Sequence, residues 1–237
     1  MSEKGGAVRS VQGVDVMAQY SFTTAPPLDI LMMVPGGVGT LTELGNNVLL
    51  DYLKTQNART QVTTSVCTGS ALLAKTGMLK GHKATSNKNF FTMAVDQDPS
   101  VDWVVKARWV DDSKFVTSSG VSAGTDMALG LVMKLFGKAR AQQLARSLEY
   151  EWHDDPTVDP FALKEVPSQP HGDSACHRQP RNDRWPLASC ATASIVALTA
   201  ERLASTAVAD RIGGAGNENG PSGARHAFLQ ECARTRI

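Results

Sequence analysis

Three strand-like runs of this chain each end in a loop of small residues. The runs and their loops are Leu28 to Val34 before Pro35-Gly36-Gly37, Gln61 to Val66 before Cys67-Thr68-Gly69-Ser70, and Lys114 to Ser118 before Ser119-Gly120-Val121. A short continuous apolar run is typical of a buried parallel strand, and ligands bind at the carboxyl edge of open α/β sheets. We therefore expect the three loops to meet at one sheet edge and to enclose a compact pocket.

Helix-like segments alternate with these strands. The predicted helices are Leu44 to Asn57, Ser70 to Thr76, Ser122 to Phe136 and Lys138 to Tyr150. The first helix should bury one apolar face made of Val48, Leu49, Tyr52 and Leu53. Two hairpins are also predicted, Ala7 to Tyr20 and Val104 to Ser118. This alternation is typical of an α/β layered domain.

The 237 residues have room for one domain of about 150 to 200 residues plus extra material. The composition changes near residue 164. All eleven lysines lie at or before Lys164, whereas the eight basic residues after it are arginines. We predict an α/β domain at residues 1–163 and a partly disordered tail at residues 164–237, to which we assign no function.

The charge balance and the cysteine usage limit the partners and the compartment. A net charge of +1 gives no global field for nucleic acid or for an anionic membrane. No apolar run reaches the roughly 20 residues that span a bilayer, and Met1 to Gly6 lacks the apolar core of a secretory signal. Cys67 is the only cysteine in the first 175 residues, so no disulfide framework is expected. We expect a cytoplasmic protein that acts on a small molecule.

Cys67 is the residue that we expect to carry the chemistry. It lies between a strand and a helix, where a sharp turn lifts a side chain out of the sheet edge. Backbone N–H groups and the positive end of the helix dipole favour a thiolate there. Free N–H groups at Thr68 and Gly69 would stabilise a developing negative charge. On the local pattern alone, a small buried hydrophobe is an equally good interpretation of Cys67.

Other residues give weaker signals. Asp126 lies near the start of its helix and fits a capping or dipole-matching carboxylate better than an acid catalyst. His82 and His153 are expected to be solvated loop residues. The histidines and cysteines after residue 170 match no strong zinc spacing, and no phosphate-binding glycine motif is present. Neither a metal nor an organic cofactor is expected.

Several motifs together make the chain recognisable. They are Val34-Pro35-Gly36-Gly37, Ser65-Val66-Cys67-Thr68-Gly69-Ser70, Ala84-Thr85-Ser86-Asn87-Lys88, Ala107-Arg108-Trp109-Val110, Thr117 to Met127, and the closing residues Glu149 to Ala162. From about residue 6 to Ala162 the sequence resembles the ThiJ/PfpI superfamily. The resemblance implies a flavodoxin-like fold of the class I glutamine-amidotransferase type, a three-layer sandwich with a mostly parallel sheet.

The residue after the cysteine points to one branch of that superfamily. Isonitrile hydratases show threonine there, as in Cys67-Thr68, whereas the intracellular-protease branch typically shows histidine. The resemblance implies addition of water to an isocyanide, R–N≡C, to give an N-substituted formamide. The thiolate of Cys67 would attack the terminal carbon, and water would hydrolyse the resulting thioimidate. The groups expected to hold the substrate or the water are the backbones of Gly36, Gly37, Thr68, Gly120 and Val121.

The chain departs from the family in one respect. Family members begin with a strand and a helix that carry an acidic residue near the cysteine, and these residues contain no counterpart. Because a lost general acid–base group costs about a hundredfold to ten-thousandfold in rate, we expect either a truncated form or a member with altered chemistry. The alternatives are a glyoxalase- or deglycase-like cysteine hydrolase and a non-enzymatic small-molecule or redox sensor. By analogy we expect a homodimer.

Overall fold

The computed structural model describes residues 1–10, 13–33 and 38–167. The strands in these residues are β1 (Gly6–Arg9), β2 (Asp15–Ala18), β3 (Ile30–Met33), β4 (Val62–Val66), β5 (Lys83–Ala84), β6 (Asp102–Trp103), β7 (Trp109–Asp112) and β8 (Phe115–Ser118). The helices are α1 (Val38–Glu43), α2 (Asn47–Arg59), α3 (Gly69–Lys75), α4 (Phe91–Val95), α5 (Val121–Phe136) and α6 (Lys138–Ser147), and a 3₁₀ turn, Lys88–Phe90, precedes α4.

A four-stranded sheet in the order β3-β4-β8-β7 forms the centre of the domain. Strands β3, β4 and β8 are parallel, and β7 runs antiparallel to β8. Within the described residues β3 pairs with β4 alone and forms one edge of this sheet. Two smaller sheets pair β1 with β2 and β5 with β6. Both predicted hairpins are therefore confirmed, the second with a first strand that begins only at Trp109.

Helices cover both faces of the sheet. Alternate residues of a strand point to opposite faces, and along β4 Val62 and Val66 alternate with Thr63 and Ser65. The two valines belong to a core cluster with Val116, Met127 and Leu131 beneath α5. The larger cluster on the other face includes Leu53 of α2, Leu72 and Leu73 of α3, Phe91 of α4 and Phe115 of β8. This is the predicted three-layer α/β arrangement.

The buried face predicted for α2 is correct at Leu53 and at Leu49, which packs partly buried against the core, and wrong at Val48. The helix begins at Asn47 rather than Leu44, and the side chain of Asn46 caps it by accepting the Leu49 N–H. Its buried residues are Leu50, Leu53 and Gln56, whereas Val48 is 55% exposed. Apolar side chains at positions 48, 49, 50, 52 and 53 cover more than one face of a helix. The spacing of apolar residues therefore does not show which face of the helix is buried, and the packing against the core decides it.

The helical pair α5 and α6 is confirmed. Gly137 separates the two helices with φ +89, and its N–H donates to the Met133 carbonyl to close the first helix. The tail that we assigned from residue 164 falls almost wholly outside the described residues. No helix in the described part of the chain is long and apolar enough to cross a membrane.

Gly124 marks the close approach of α5 to β4 and gives a test of this packing. A Cβ at Gly124 would lie 2.8 Å from Val66 Cγ1 and 3.1 Å from its Cγ2. Val66 is buried and β-branched, so it cannot rotate away cheaply. Overpacking costs about 1–3 kcal/mol, more than the roughly 1 kcal/mol that alanine gains over glycine in a helix. We expect Gly124→Ala to lower the free energy of unfolding by about 1 kcal/mol in urea denaturation.

Gly39 provides the matched control, because it lies in α1 and a Cβ there meets open space. We expect Gly39→Ala to raise the free energy of unfolding by up to about 1 kcal/mol. The same gain from Gly124→Ala would contradict the close contact between α5 and β4.

Candidate active site

Cys67 lies in the tight turn between β4 and α3, as predicted. Its φ is +58°, a conformation that is uncommon for a residue with a side chain. The Cys67 N–H donates to the Ser118 carbonyl at 3.1 Å. Its carbonyl accepts hydrogen bonds from Ser70 Oγ at 3.2 Å and Ser86 Oγ at 3.3 Å. The turn is thus held from β8, from α3 and from the segment after β5.

The sulfur of Cys67 receives a hydrogen bond from Asn87, whose Nδ2 lies 3.1 Å from Sγ. The other end of the Asn87 amide is also engaged, because Oδ1 accepts the Asn89 N–H at 2.9 Å. This second bond fixes which end of the amide faces the sulfur. A donor to sulfur stabilises the thiolate relative to the thiol. The thiol itself is 8% exposed and is not part of a disulfide.

Asn87 is a site residue that our sequence reasoning missed. In the sequence, Asn87 stands out only as part of the motif Ala84 to Lys88, which supports the family resemblance and assigns this residue no role. The available signal was the position of the Asn87 side-chain amide, which follows the short strand β5 closely. Sequence alone does not reveal that a residue 20 positions after Cys67 reaches its sulfur.

Thr68 is fully inside the domain, 2% exposed, and its hydroxyl lies 2.9 Å from the hydroxyl of Thr40. It occupies the N-cap position of α3, yet its side chain makes no capping hydrogen bond. The hydroxyl therefore joins α1 to the start of α3 instead of closing the helix. Thr40 is 1% exposed and was not singled out from the sequence.

The predicted convergence of the loops is confirmed for two of the three. Val66 and Ser118 are register partners, so the loops after β4 and β8 begin side by side. Gly120 is the N-cap of α5 and Val121 is its first residue. The residue that contacts Cys67 is Ser118, two positions before Gly120, and the Ser118 carbonyl accepts the Cys67 N–H. Gly36 and Gly37, the remaining predicted site residues, lie outside the described residues.

Asp126 is not a capping carboxylate, which corrects the sequence interpretation. It lies five residues after the start of α5 and is fully buried. Its Oδ2 accepts a hydrogen bond from Arg108 Nε at 2.7 Å and forms an ion pair with Nη2 at 2.6 Å. The Tyr150 hydroxyl at 3.0 Å and the His153 N–H at 3.1 Å donate to its other oxygen. Burial, with the Asp126 charge adding to it, raises the pKa of Tyr150 to about 12.

A second buried carboxylate belongs to Asp159. Its Oδ2 accepts the Ser119 hydroxyl at 3.0 Å and lies 3.7 Å from Lys88 Nζ. The Lys88 ammonium also donates to Thr85 Oγ1 at 2.8 Å and to the Ala107 carbonyl at 2.7 Å. Burial lowers the pKa of Lys88 from 10.5 to about 8, and the charge of Asp159 opposes that shift.

The two histidines differ. His82 is only 33% exposed, its Nδ1 lies 3.3 Å from Asp112 Oδ2, and its ring contacts Phe115 edge-on, so a solvated loop residue is the wrong description. The His153 side chain is 58% exposed, as predicted.

Residues 1–10, 13–33 and 38–167 contain no cluster of three or more histidine, cysteine, aspartate or glutamate side chains suited to a metal. The histidines and cysteines after residue 170 lie outside those ranges.

Comparison with known proteins identifies the family. Residues 1–134, more than half of the chain, match the DJ-1/PfpI family. The chain belongs to this family. A ThiJ/PfpI family protein from Pseudomonas syringae superposes with a TM-score of 0.57 at 30% identity, covering 70% of this chain and 68% of that one. The predicted flavodoxin-like α/β fold is thereby confirmed.

Two further relatives bear on the chemistry. An isonitrile hydratase from Pseudomonas putida is 35% identical over 144 residues, which cover 60% of this chain. The chain spans only 61% of the length of that relative. Toxoplasma gondii DJ-1, solved in an oxidized form, is 29% identical with a TM-score of 0.54, covering 63% of this chain and 80% of that one. This chain is thus similar both to an isonitrile hydratase and to a DJ-1 whose structure is of the oxidized protein.

The depressed pKa of Lys88 predicts a pH dependence of stability. The unfolded chain keeps this proton up to about pH 10.5, whereas the folded domain releases it near pH 8. Between those values the unfolded state binds more protons, so the free energy of unfolding rises with pH. From about pH 7.5 to about pH 9.5 we expect Lys88 to add about 1–2 kcal/mol, measured by urea denaturation at each pH.

The control for this experiment is a pair of methionine substitutions. Lys88→Met should remove the rise, while Lys54→Met should preserve it, because the Lys54 side chain is 52% exposed on α2. A rise of equal size in both variants would show that another group causes it.

Proposed function

We propose that this protein is a cysteine-dependent lyase that adds water to an isocyanide, R–N≡C, and releases the N-substituted formamide, R–NH–CHO. The observation that carries the proposal is the Cys67 site itself. A thiol stands in a left-handed strand-to-helix turn with the Asn87 amide donating to its sulfur. The 35% identity to an isonitrile hydratase and the Cys67-Thr68 pair support the same reaction.

In the first step the sulfur of Cys67 bonds to the terminal carbon of the isocyanide. The carbon gains one proton, and the product is the thioimidate R–N=CH–S–Cys67. The proton on carbon is the one that the Cys67 thiol gives up, so the S–H bond is exchanged for one C–S bond and one C–H bond and no oxidant or reductant is consumed. The Asn87 amide stabilises the thiolate before attack. This hydrogen bond weakens as the C–S bond forms, because the sulfur then loses its negative charge.

In the second step water adds to the thioimidate carbon. Its hydroxyl goes to carbon and its proton to nitrogen. The C–S bond then breaks as the hydroxyl gives up its proton to form the formyl C=O, and that proton restores the Cys67 thiol. Over the cycle one water supplies the formyl oxygen and both the N–H and the C–H hydrogens of the formamide. Backbone N–H groups at the start of α3 would stabilise the negative charge that develops in this step, and the groups that would hold the water include Gly36, Gly37, Thr68, Gly120 and Val121.

Cys67 has apolar as well as polar surroundings. Cys67 belongs to the core cluster that contains Val66, Trp109 and Met127. Such an environment suits a small apolar substrate whose reacting carbon carries little charge, and it limits the water that competes for the thiolate. We propose on these grounds that the R group is a compact hydrocarbon. The homodimer and the cytoplasmic location are proposed on separate grounds, by analogy with the family and from the cysteine usage.

The proposal is tested with purified protein and benzyl isocyanide, with the formamide quantified by mass spectrometry. We expect product from wild type and none above the buffer rate from Cys67→Ala, because the alanine has no nucleophile. Cys176→Ala is the matched control, since it removes a thiol outside the α/β domain predicted from the sequence, and it should leave the rate unchanged. Equal product from wild type and Cys67→Ala would contradict the proposal.

The alternative function is a redox sensor, favoured by the similarity to Toxoplasma gondii DJ-1 in its oxidized form. A sensor would show peroxide oxidation confined to Cys67 and no turnover of the isocyanide. Consumption of methylglyoxal, in place of isocyanide, would instead identify the glyoxalase- or deglycase-like hydrolase. Each function therefore has its own positive result in the same set of assays.

A further inference from the structure

Lys88 is an ammonium group buried beside the candidate active site, with its side chain 6% exposed. Burying an ammonium is costly unless hydrogen bonds and a counter-ion satisfy it. Here Nζ donates to Thr85 Oγ1 and to the Ala107 carbonyl, and it lies 3.7 Å from Asp159 Oδ2. These partners belong to the Lys88 segment itself, to the chain just before β7, and to the residues after α6.

The segment Thr85 to Lys88 contacts Cys67 at two points. Ser86 Oγ donates to the Cys67 carbonyl, and Asn87 Nδ2 donates to its sulfur. The beginning of the segment is fixed to the sheet, because the Thr85 N–H donates to Thr117 Oγ1 at 2.9 Å. The end of the segment is held by the Lys88 ammonium. The position of the Asn87 amide therefore depends on anchors on both sides of it.

Asp159 joins this segment to the second loop beside Cys67. The oxygen that faces Lys88 also accepts the Ser119 hydroxyl at 3.0 Å. Ser119 directly follows Ser118, whose carbonyl accepts the Cys67 N–H. One carboxylate oxygen thus contacts two of the three chain segments that hold Cys67, the end of the segment after β5 and the loop after β8.

We propose that Lys88 and Asp159 are positioning residues, a buried ion pair that holds the Asn87 amide on the Cys67 sulfur and thereby sets the reactivity of that cysteine. The inference deepens the proposed function and shares with it the assumption that Cys67 reacts. It does not depend on isocyanide hydration, because its test measures alkylation of the thiol.

The experiment is a double-variant cycle on the rate constant for alkylation of Cys67 by iodoacetamide at neutral pH. Peptide mass spectrometry separates Cys67 from the three other cysteines. We expect Asn87→Ala to lower the rate constant about tenfold, because a hydrogen bond to the thiolate is lost. Lys88→Met should lower it by a similar factor. The variant that combines both should react no more slowly than Asn87→Ala alone, since Lys88 acts through Asn87.

Lys54→Met, an exposed lysine on α2, is the matched control and should alkylate at the wild-type rate. A wild-type rate in Lys88→Met would overturn the proposal. Effects of the two substitutions that multiply to about a hundredfold would overturn it as well, because Lys88 would then act independently of Asn87. A merely structural role of Lys88 predicts a loss of thermal stability without this dependence on Asn87.

A second variant covers the case in which Lys88→Met does not fold. Thr85→Val is nearly isosteric and removes one acceptor of the Lys88 ammonium. It should slow alkylation of Cys67 severalfold in wild type and leave the rate of Asn87→Ala unchanged. Equal slowing in both backgrounds would contradict the proposal. Near-ultraviolet circular dichroism of each variant establishes that the compared proteins share the native packing.

Discussion

The left-handed backbone at Cys67 is the constraint on which the rest of the site depends. A non-glycine residue with φ of +58° is held there only when its surroundings determine it. Three groups do so: the Ser118 carbonyl, the Ser70 hydroxyl and the Ser86 hydroxyl. Each comes from a different element, so the pairing of β4 with β8, the start of α3 and the segment after β5 must all be in place together.

Buried charged residues also hold distant segments of the chain together. Arg108, Asp126, Asp159 and Lys88 comprise two cations and two anions in nearly solvent-free surroundings. Removing Arg108 would leave the fully buried Asp126 carboxylate without its cation, and such an uncompensated charge typically costs about 3–5 kcal/mol. Because Asp159 and Tyr150, the tyrosine that donates to Asp126, both follow α6, this set ties the residues after the last helix to the sheet. The α/β domain is therefore incomplete without residues 150–161.

The sequence was informative where structure is decided locally. Strand β4, the turn at Cys67 and the Gly137 break between α5 and α6 follow from composition and small residues over a few positions. The missed features depend on distant partners: Asn87 reaches Cys67 across 20 positions, Arg108 reaches Asp126 across 18, and Asp159 reaches Ser119 across 40. For the same reason Asp126 is misassigned as a cap from the sequence, because its partner Arg108 is distant in the chain. The residue types were visible, but their pairing was not.

The proposed function rests on a covalent bond between Cys67 and the isocyanide carbon, and that bond can be observed directly. The measurement is the mass of the Cys67 peptide after wild-type protein has been mixed with benzyl isocyanide and quenched in acid within one turnover. The account predicts a transient increase equal to the mass of the isocyanide, on Cys67 and on no other cysteine. Formamide production with an unmodified Cys67 peptide at every quench time, or with the added mass on a different residue, would contradict it.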